Sequence, residues 1–243
     1  PAECELTRHT AEVALRVLAG MLERDPKLLE AIPVRREPSP PEEHQIGCVR
    51  LTATAAAARA LGQWRSPRPL RLSDGALVRW KCWLGPDDLS VTLHLGWDDE
   101  YLYLRASVRD DVFVPPSPAA RSRRGDSLEL SLYPHPSSGR CHRFLMSQIG
   151  GEADLLAYGR SGTASATAQR DTRAVCAVHR RGGYTEYRLA IPWGELEGMN
   201  PGEDFGLAVC LYDDDRRGRG YLRWPDGSEY GLARPIGSEE TSR

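Results

Sequence analysis

Residues 182–215 constrain the fold of this chain more than any other stretch. Residues 184–190 are rich in aromatic, β-branched and apolar side chains, as β-strands are. Pro192 ends that run because proline cannot donate to a sheet ladder, and a connection dense in turn-forming residues follows. Residues 205–211 then place apolar side chains at every second position, which predicts a strand with one buried face. Two such strands joined by a corner predict the centre of an antiparallel β-sandwich.

Strand-like runs continue along most of the chain from Cys48 onward. Residues 89–95 and 101–108 flank a short polar segment, which predicts a hairpin. About nine strands at this spacing predict an all-β fold, an antiparallel β-sandwich. Residues 225–243 carry no strand pattern, so we expect them to be irregular. The other predicted strands are residues 49–54, 125–132, 142–148, 172–178 and 221–224.

The first part of the chain has a different pattern. Residues 1–32 place apolar side chains at helical spacing, with Thr10 positioned to cap the segment and Pro33 to end it. Proline and polar residues dominate the following stretch, so it cannot form a core. We therefore expect a short helical segment and proline-rich linker over residues 1–43 and a sandwich domain over residues 44–243. The alternative is a helical cap folded back on the sandwich, since the apolar stripe needs a cover.

Composition excludes several classes of protein. The formal net charge of −2 is unlike that of a dedicated nucleic-acid-binding domain. No stretch approaches the roughly 20 apolar residues of a membrane span. The 6 cysteines include no CxxC pair, which excludes an ordinary zinc ribbon and leaves disulfides and buried thiols both open. The chain begins at Pro1 and shows no signal peptide, so we expect it to be a piece of a longer protein.

Five blocks of sequence together carry a resemblance to a known family. They are WDDEYLYL (97–104), VRDDVF (108–113), GDSLELSL (125–132), GYTEYRLAIPWGEL (183–196) and PGEDFGLAVCLYDDD (201–215). In this order they resemble carbohydrate-binding module family 9 and the wider group of DOMON-like sandwiches, over about residues 49–236. The resemblance implies a jelly-roll-like, non-catalytic domain that holds sugar chains and is attached to secreted enzymes acting on polysaccharide.

In the family, a glucose-type reducing end lies between two tryptophans, because the apolar face of a pyranose stacks on an aromatic ring. The position of the first tryptophan, three residues before Asp126, is Arg123 in this chain. The neighbourhood of the second offers Tyr230 but no tryptophan. The chain therefore departs from the family's glucan-binding pattern.

We expect sugar contacts from aromatic and arginine side chains in loops. Two aromatic residues lie near the family's second stacking position, and two tryptophans occupy an earlier loop, where such residues either hold sugars or pack inward. Arg121, Arg123 and Arg124 stand near the first stacking position. They either form a solvated basic loop or bind the carboxylate or sulfate of an anionic glycan by two parallel hydrogen bonds. The predicted carbohydrate-binding residues are Trp224, Tyr230, Arg123, Arg121, Trp80 and Trp83.

Aspartates end several predicted strands, and clusters of carboxylate oxygens suit Ca²⁺. The resemblance also implies a structural calcium ion, which the family commonly carries. No EF-hand spacing is present, and acidic turns are common in any sandwich. The predicted metal ligands are Asp110, Asp111, Asp213 and Asp215.

The predicted function is non-catalytic binding of a neutral or anionic polysaccharide or oligosaccharide, beside the catalytic domain of a secreted, extracellular parent protein. Glycoside hydrolysis needs two carboxylates facing each other across a cleft, and the sequence indicates no such pair, so we predict no enzymatic activity. Neither nucleic acid nor membrane is an expected partner. One alternative is a structural or docking domain that binds no sugar. Another is a DOMON-like domain that binds haem b through Met146 and either His94 or His179.

Overall fold

The structure is a computed structural model of the chain. It describes residues 45–51, 64, 66, 68–73, 85–117, 125–134, 140–160, 172–214, 219–225 and 230–236. The chain divides into two compact units, Pro1–Glu42 and Glu43–Arg243, and every described residue belongs to the second. The helical segment and linker predicted for residues 1–43 lie outside the described residues and stay a prediction.

The described residues are all-β, and their only helix is a single 3-10 turn at Trp193–Glu195. Within these ranges, no helix has the length and apolar character needed to cross a membrane. The strands are β1 (Gln45–Arg50), β2 (Leu70–Leu72), β3 (Leu89–Trp97), β4 (Tyr101–Asp110), β5 (Ser127–Tyr133), β6 (Cys141–Ile149), β7 (Glu152–Arg160), β8 (Val175–Arg181), β9 (Tyr184–Pro192), β10 (Phe205–Asp214), β11 (Arg219–Trp224) and β12 (Gly231–Ile236).

All 12 strands belong to one mixed sheet in the order β7-β6-β5-β10-β12-β1-β3-β4-β9-β8, with β11 paired to β10 and β2 paired to β3. The two end strands, β7 and β8, contact each other, so the sheet is nearly closed on itself. The prediction of a wholly antiparallel sheet is wrong at β1. This strand runs parallel to both of its neighbours, β12 and β3. Long stretches of chain separate β1 from both partners in sequence, so no tight hairpin turn requires antiparallel pairing.

Period-two alternation of side chains places the core inside the nearly closed sheet. In β5, Leu128, Leu130 and Leu132 are completely buried, and apolar residues at every second position of β3, β4, β9 and β10 meet them. Burying each such leucine contributes about 1.5–3 kcal/mol relative to leaving it exposed. The alternate residues of the same strands face outward, and in β5 and β10 they include Glu129 and Tyr212.

The predicted hairpin and corner are both confirmed. Strands β3 and β4 pair from Leu89 to Trp97. At the turn between them, the side chain of Asp98 accepts hydrogen bonds from the backbone N–H groups of Glu100 and Tyr101. At the corner, β9 ends at Pro192 and the 3-10 turn follows. The indole Nε1–H of Trp193 donates to the Asp98 carbonyl at 2.8 Å, which ties the corner to the hairpin turn.

Three of the described strands, β2, β7 and β12, were not expected from the sequence. Strand β7 pairs along its whole length with β6 across a turn at Gly150 and Gly151, whose φ angles of 63° and 90° match a type I′ hairpin turn. Strand β12 lies in the segment expected to be irregular and contains Pro235. Its extended shape depends on pairing with β1 and β10, which lie far from it in sequence.

Candidate functional site

Three aspartates from different strand ends form a buried cluster. Asp110 ends β4, Asp126 precedes β5 and Asp213 lies near the end of β10. Each offers one carboxylate oxygen, and the three oxygens lie within 4.8 Å of one another. Their exposed fractions are 2%, 4% and 2%. The sheet therefore concentrates acidic groups at one point where water is largely excluded.

The backbone around Asp126 holds its carboxylate in place. The Val114 and Asp214 N–H groups donate to its two oxygens, and its own N–H donates to the Val114 carbonyl at 2.8 Å. Gly125, directly before it, has a φ of +116°, and a Cβ there would lie 2.6 Å from the Pro116 nitrogen. Only glycine fits this position without moving the backbone that positions Asp126.

One cation faces the cluster among the described residues. An Nη group of Arg180 lies 3.3 Å from an oxygen of Asp110, and the other Nη donates to the Asp110 carbonyl at 2.8 Å. The guanidinium is also bonded to Thr185 Oγ1 and lies 5.0 Å from the centre of the Phe113 ring. Arg180 thus places one positive charge beside carboxyl groups that lie close enough to repel one another when ionised.

Burial and the close spacing of the carboxyl groups affect the protonation of Asp126. Burial raises the pKa of its carboxyl from 3.8 to about 8, against the lowering effect of the N–H groups from Val114 and Asp214. The nearby carboxylates of Asp110 and Asp213 raise it further. A set of carboxylate oxygens under mutual repulsion fits a hard divalent cation such as Ca²⁺, which would replace the proton.

The cluster overlaps the predicted metal ligands in part. Asp110 and Asp213 lie in it, Asp111 is exposed and lies outside it, and Asp215 is outside the described residues. Sequence reasoning missed Asp126. The signal for it was a glycine-aspartate pair directly before a buried strand, which places a carboxylate at a strand end beside the neighbouring strand ends.

A second polar feature is a recess of about 270 Å³ on the outer face of the sheet, away from the core. It arises because the leucines of β5 face inward, so the alternate residues of that strand face outward. β10, β11 and β6 add outward side chains on either side. We call this the outer recess. Its described lining is Glu129, Ser131, Tyr133, Arg143, Ala208, Val209, Cys210, Tyr212, Tyr221 and Arg223.

Glu129 is the acidic centre of the outer recess and is only 6% exposed. The phenolic O–H groups of Tyr212 and Tyr158 point toward its Oε2, at 3.3 and 3.4 Å. The rings of Tyr212 and Tyr221 face each other across β10 and β11, with centroids 6.4 Å apart and planes inclined by 56°. A carboxylate bordered by aromatic rings offers both hydrogen-bond acceptors and apolar surface to a ligand.

Arg143 supplies positive charge to the outer recess. Its Nε is buried and has no hydrogen-bond partner among the described residues. No carboxylate of the described residues forms a salt bridge with Arg143. Burial acts to lower its pKa, but contact with Cys141 and the proximity of Glu129 raise the pKa overall, so the guanidinium stays charged. Because the Arg143 guanidinium lines the recess, a ligand oxygen would be a suitable partner for it.

An aromatic pair lies at the end of the outer recess. The rings of Tyr133 and Tyr230 have centroids 5.0 Å apart and planes inclined by 38°. Gly206 permits this packing, because a Cβ there would lie 2.8 Å from Tyr230 Cδ2 and 2.9 Å from Tyr133 Cβ. Of the residues predicted to contact sugar, Tyr230 is therefore beside the recess.

The structure does not support the stacking role predicted for Trp224. Its side chain is 7% exposed and belongs to the hydrophobic core, because it alternates in β11 with the outward-facing Tyr221 and Arg223. A buried indole has no free face for a pyranose. The other predicted sugar contacts lie outside the described residues: Arg121, Arg123, Trp80 and Trp83.

The residues considered for haem binding do not meet. Met146 is completely buried in the core. His94 accepts the Ser66 N–H at Nδ1, and His179 is exposed on β8. Both histidines alternate with core residues of their strands and so face outward, away from Met146.

The described residues form an all-β domain with a polar recess on its outer face. Comparison with known proteins shows the family to which this chain belongs. The profile described as "Carbohydrate family 9 binding domain-like" matches residues 63–231. The chain belongs to this family. No curated protein matches it significantly.

Three solved structures match the chain at low sequence identity. A "putative carbohydrate-binding protein" from Bacteroides uniformis ATCC 8492 has a TM-score of 0.60 and 14% identity, covering 80% of this chain and 100% of its own. A carbohydrate binding module family 9 from Caldicellulosiruptor kristjanssonii in complex with cellotriose has a TM-score of 0.48 and 14% identity, covering 82% and 97%. The structure of a module of that family from the same organism in complex with glucose has a TM-score of 0.45 and 15% identity, covering 79% and 96%. The first of these shows a shared fold.

Proposed function

We propose that the chain is a non-catalytic carbohydrate-binding module and that the outer recess holds the sugar. The observation that carries this proposal is the composition of the recess, which combines a buried carboxylate, arginines and several tyrosine rings. Sugars need this combination, because their hydroxyls pair with charged groups while their apolar faces contact aromatic rings. Membership of the family supports the same class of ligand.

Each group in the outer recess has a distinct part in the proposed binding. Glu129 accepts hydrogen bonds from sugar hydroxyls, and the guanidinium of Arg143 donates to a sugar oxygen. Tyr221 and Tyr212 present ring surface to the apolar face of a pyranose, replacing the stacking role first expected of Trp224. Tyr230 borders the recess beside Tyr133 and extends that aromatic surface.

The charges of the outer recess favour a glycan that carries acidic groups. Arg143 and Arg223 line it together with the single carboxylate of Glu129, so its described lining has an excess of one positive charge. Guanidinium groups bind carboxylates and sulfates strongly because both partners are charged and planar donor pairs match them. We propose a uronic-acid or sulfated polymer as the preferred ligand, with neutral glycans bound more weakly.

We also propose that the buried aspartate cluster holds Ca²⁺ through Asp110, Asp126 and Asp213. The ion would reduce the mutual repulsion of these closely spaced carboxylates. Because Asp126 precedes β5 and Asp213 lies on β10, an ion there would tie together the two strands that form the floor of the outer recess. Its role would be structural support of the binding face.

The proposed setting is a secreted, extracellular parent protein in which this domain lies beside a catalytic domain acting on polysaccharide. The domain would fold as a jelly-roll-like, DOMON-like sandwich, with the outer recess on one of its two faces. The near closure of the sheet and the contact between β7 and β8 support this arrangement.

Isothermal titration with a panel of oligosaccharides tests the proposal, using cellotriose as a neutral probe and oligogalacturonate as an acidic one. Replacing Arg143 by glutamine should weaken binding of the acidic probe by about tenfold or more, because a charge-assisted hydrogen bond is lost. Arg109→Gln is the matched control, since Arg109 is an exposed arginine on β4 that pairs with Asp87. Binding that is equal in both variants would contradict the assignment to the recess. If the wild-type protein binds none of the glycans tested, the alternative of a docking domain is favoured.

A further inference from the structure

A second depression lies on the outer face of a different part of the sheet, formed by β4, β9 and β8. Its volume is about 230 Å³, below the roughly 300–1,000 Å³ of pockets for drug-sized ligands. Strand pairing brings Tyr103, Ala190 and Val175 into one row across the three strands. The small side chain of Ala190 between larger neighbours leaves the space open. We call this depression the β8 pocket.

The walls of the β8 pocket are largely apolar. Trp64 lies over β3, where a Cβ on Gly96 would be only 3.1 Å from its ring. The ring of Tyr103 is buried beside it, and its phenolic O–H already donates to Asp98 at 2.8 Å. Val175 is 50% exposed on the opposite side. These residues offer ring and aliphatic surface and few partners for hydroxyl groups.

Two arginines share one carboxylate at the end of the β8 pocket. The Nε–H groups of Arg105 and Arg188 both donate to the same oxygen of Glu186, at 2.9 and 2.8 Å. Burial acts to raise the pKa of Glu186, but the hydrogen bonds from Arg188 and Arg105 lower it overall, so the carboxylate stays ionised. The trio therefore carries one excess positive charge.

This geometry leaves the outer ends of both guanidinium groups unused. The hydrogen bonds of both arginines to Glu186 use Nε, and no hydrogen bond from the described residues to their Nη groups is seen. The side chains are 21% and 34% exposed, so both are held in place yet accessible. Because Glu186 holds them at Nε, little side-chain entropy remains to be lost when they bind an anion.

We propose that the β8 pocket binds a small aromatic carboxylic acid, with its carboxylate on the Nη groups of Arg105 and Arg188 and its ring between Trp64 and Val175. A carboxylate matches the planar donor pairs of guanidinium. An aromatic body matches these largely apolar walls better than the hydroxyl-rich ring of a sugar acid does. The site lies on strands other than those of the outer recess and is independent of the proposed glycan binding.

The test compares benzoate with benzamide and glucuronate on the wild-type protein, by ligand-observed NMR and titration calorimetry. Benzoate should bind at least about tenfold more tightly than benzamide, which has the same ring without the charge. It should also bind more tightly than glucuronate, which has the charge without the aromatic ring. Equal binding of benzoate and benzamide, or no binding of either, would overturn the proposal. Tighter binding of glucuronate would overturn the aromatic assignment.

Variants locate the site. Arg188→Gln should weaken benzoate binding by about tenfold, because one of two charged donors is removed. Arg109→Gln, on the same sheet but outside the pocket, should leave binding unchanged, as should Arg143→Gln in the outer recess. A loss in either control with none in Arg188→Gln would place benzoate elsewhere. Thermal unfolding of each variant verifies that it is folded, and the benzoate and benzamide comparison stands without any variant.

Discussion

The protonation of Asp126 should make the protein less stable as pH rises when divalent cations are removed. The pKa of this carboxyl is 3.8 as an unperturbed group and about 8 in the folded protein. Between these values the folded protein keeps a proton that the unfolded chain has released, so the unfolded state gains relative stability with rising pH. Since one pKa unit corresponds to about 1.4 kcal/mol, the fall in the free energy of unfolding from pH 4 to pH 8 is on the order of 5 kcal/mol.

The variant Asp126→Asn removes this titration, and Asp111→Asn is its matched control. Asp111 is next to Asp110 in the chain, but its side chain is exposed and outside the cluster. Urea unfolding in chelator at several pH values should show the fall in the wild-type protein and in Asp111→Asn, and a much flatter profile in Asp126→Asn. Parallel profiles for the wild-type protein and Asp126→Asn would refute the assignment of the buried proton to this residue.

Added Ca²⁺ should offset the fall in the free energy of unfolding at high pH if it binds the proposed cluster. Binding replaces the proton on Asp126, so the apparent affinity should rise about tenfold per pH unit up to about pH 8. At a concentration of about 100 times Kd the ion should add about 2.7 kcal/mol to the free energy of unfolding. Asp126→Asn should lose this response and Asp111→Asn should keep it. Loss of the response in both variants would contradict the location of the site.

Two further substitutions test the packing that supports these sites. Trp224→Ala should lower the free energy of unfolding by about 3–5 kcal/mol, as large-to-small core substitutions do, and should leave glycan affinity of the folded protein unchanged in titration calorimetry. A loss of glycan affinity in a folded Trp224→Ala variant would show that Trp224 contributes to the binding site after all. Gly125→Ala should destabilise more than Gly85→Ala in urea unfolding. Both have positive φ, which costs about 1–3 kcal/mol, but only at Gly125 would the new Cβ collide with backbone at Pro116. Equal losses would show that strain alone sets the requirement at Gly125.

Local pattern was enough to predict the all-β class, the hairpin of β3 and β4 and the corner after β9. These elements follow from alternation, turn residues and Pro192, which act over a few residues. The parallel placement of β1 and the existence of β12 could not be predicted in this way. Both depend on pairing between segments at opposite ends of the domain, which leaves no periodic mark in either segment.

The binding face was harder to predict than the fold, for a related reason. The sequence favours aromatic residues in loops as the sugar contacts, Trp224 among them. Alternation in β11, however, turns the Trp224 side chain inward. The outer recess instead draws on strand residues such as Glu129 and Tyr221, which look like ordinary outward-facing positions. Only the curvature and register of β5, β10 and β11 bring them together.

The position of β1 also determines when the domain can be completed during synthesis. β1 joins β3 on one side and β12 on the other, and β12 in turn joins β10. Until residues 231–236 have left the ribosome, the chain holds two separate half-sheets, each with an open edge of unpaired N–H and C=O groups. Joining them requires contacts between distant segments, which are slow to form, and open edges invite pairing with other chains. The nascent domain should therefore be most prone to aggregation just before its last strand emerges.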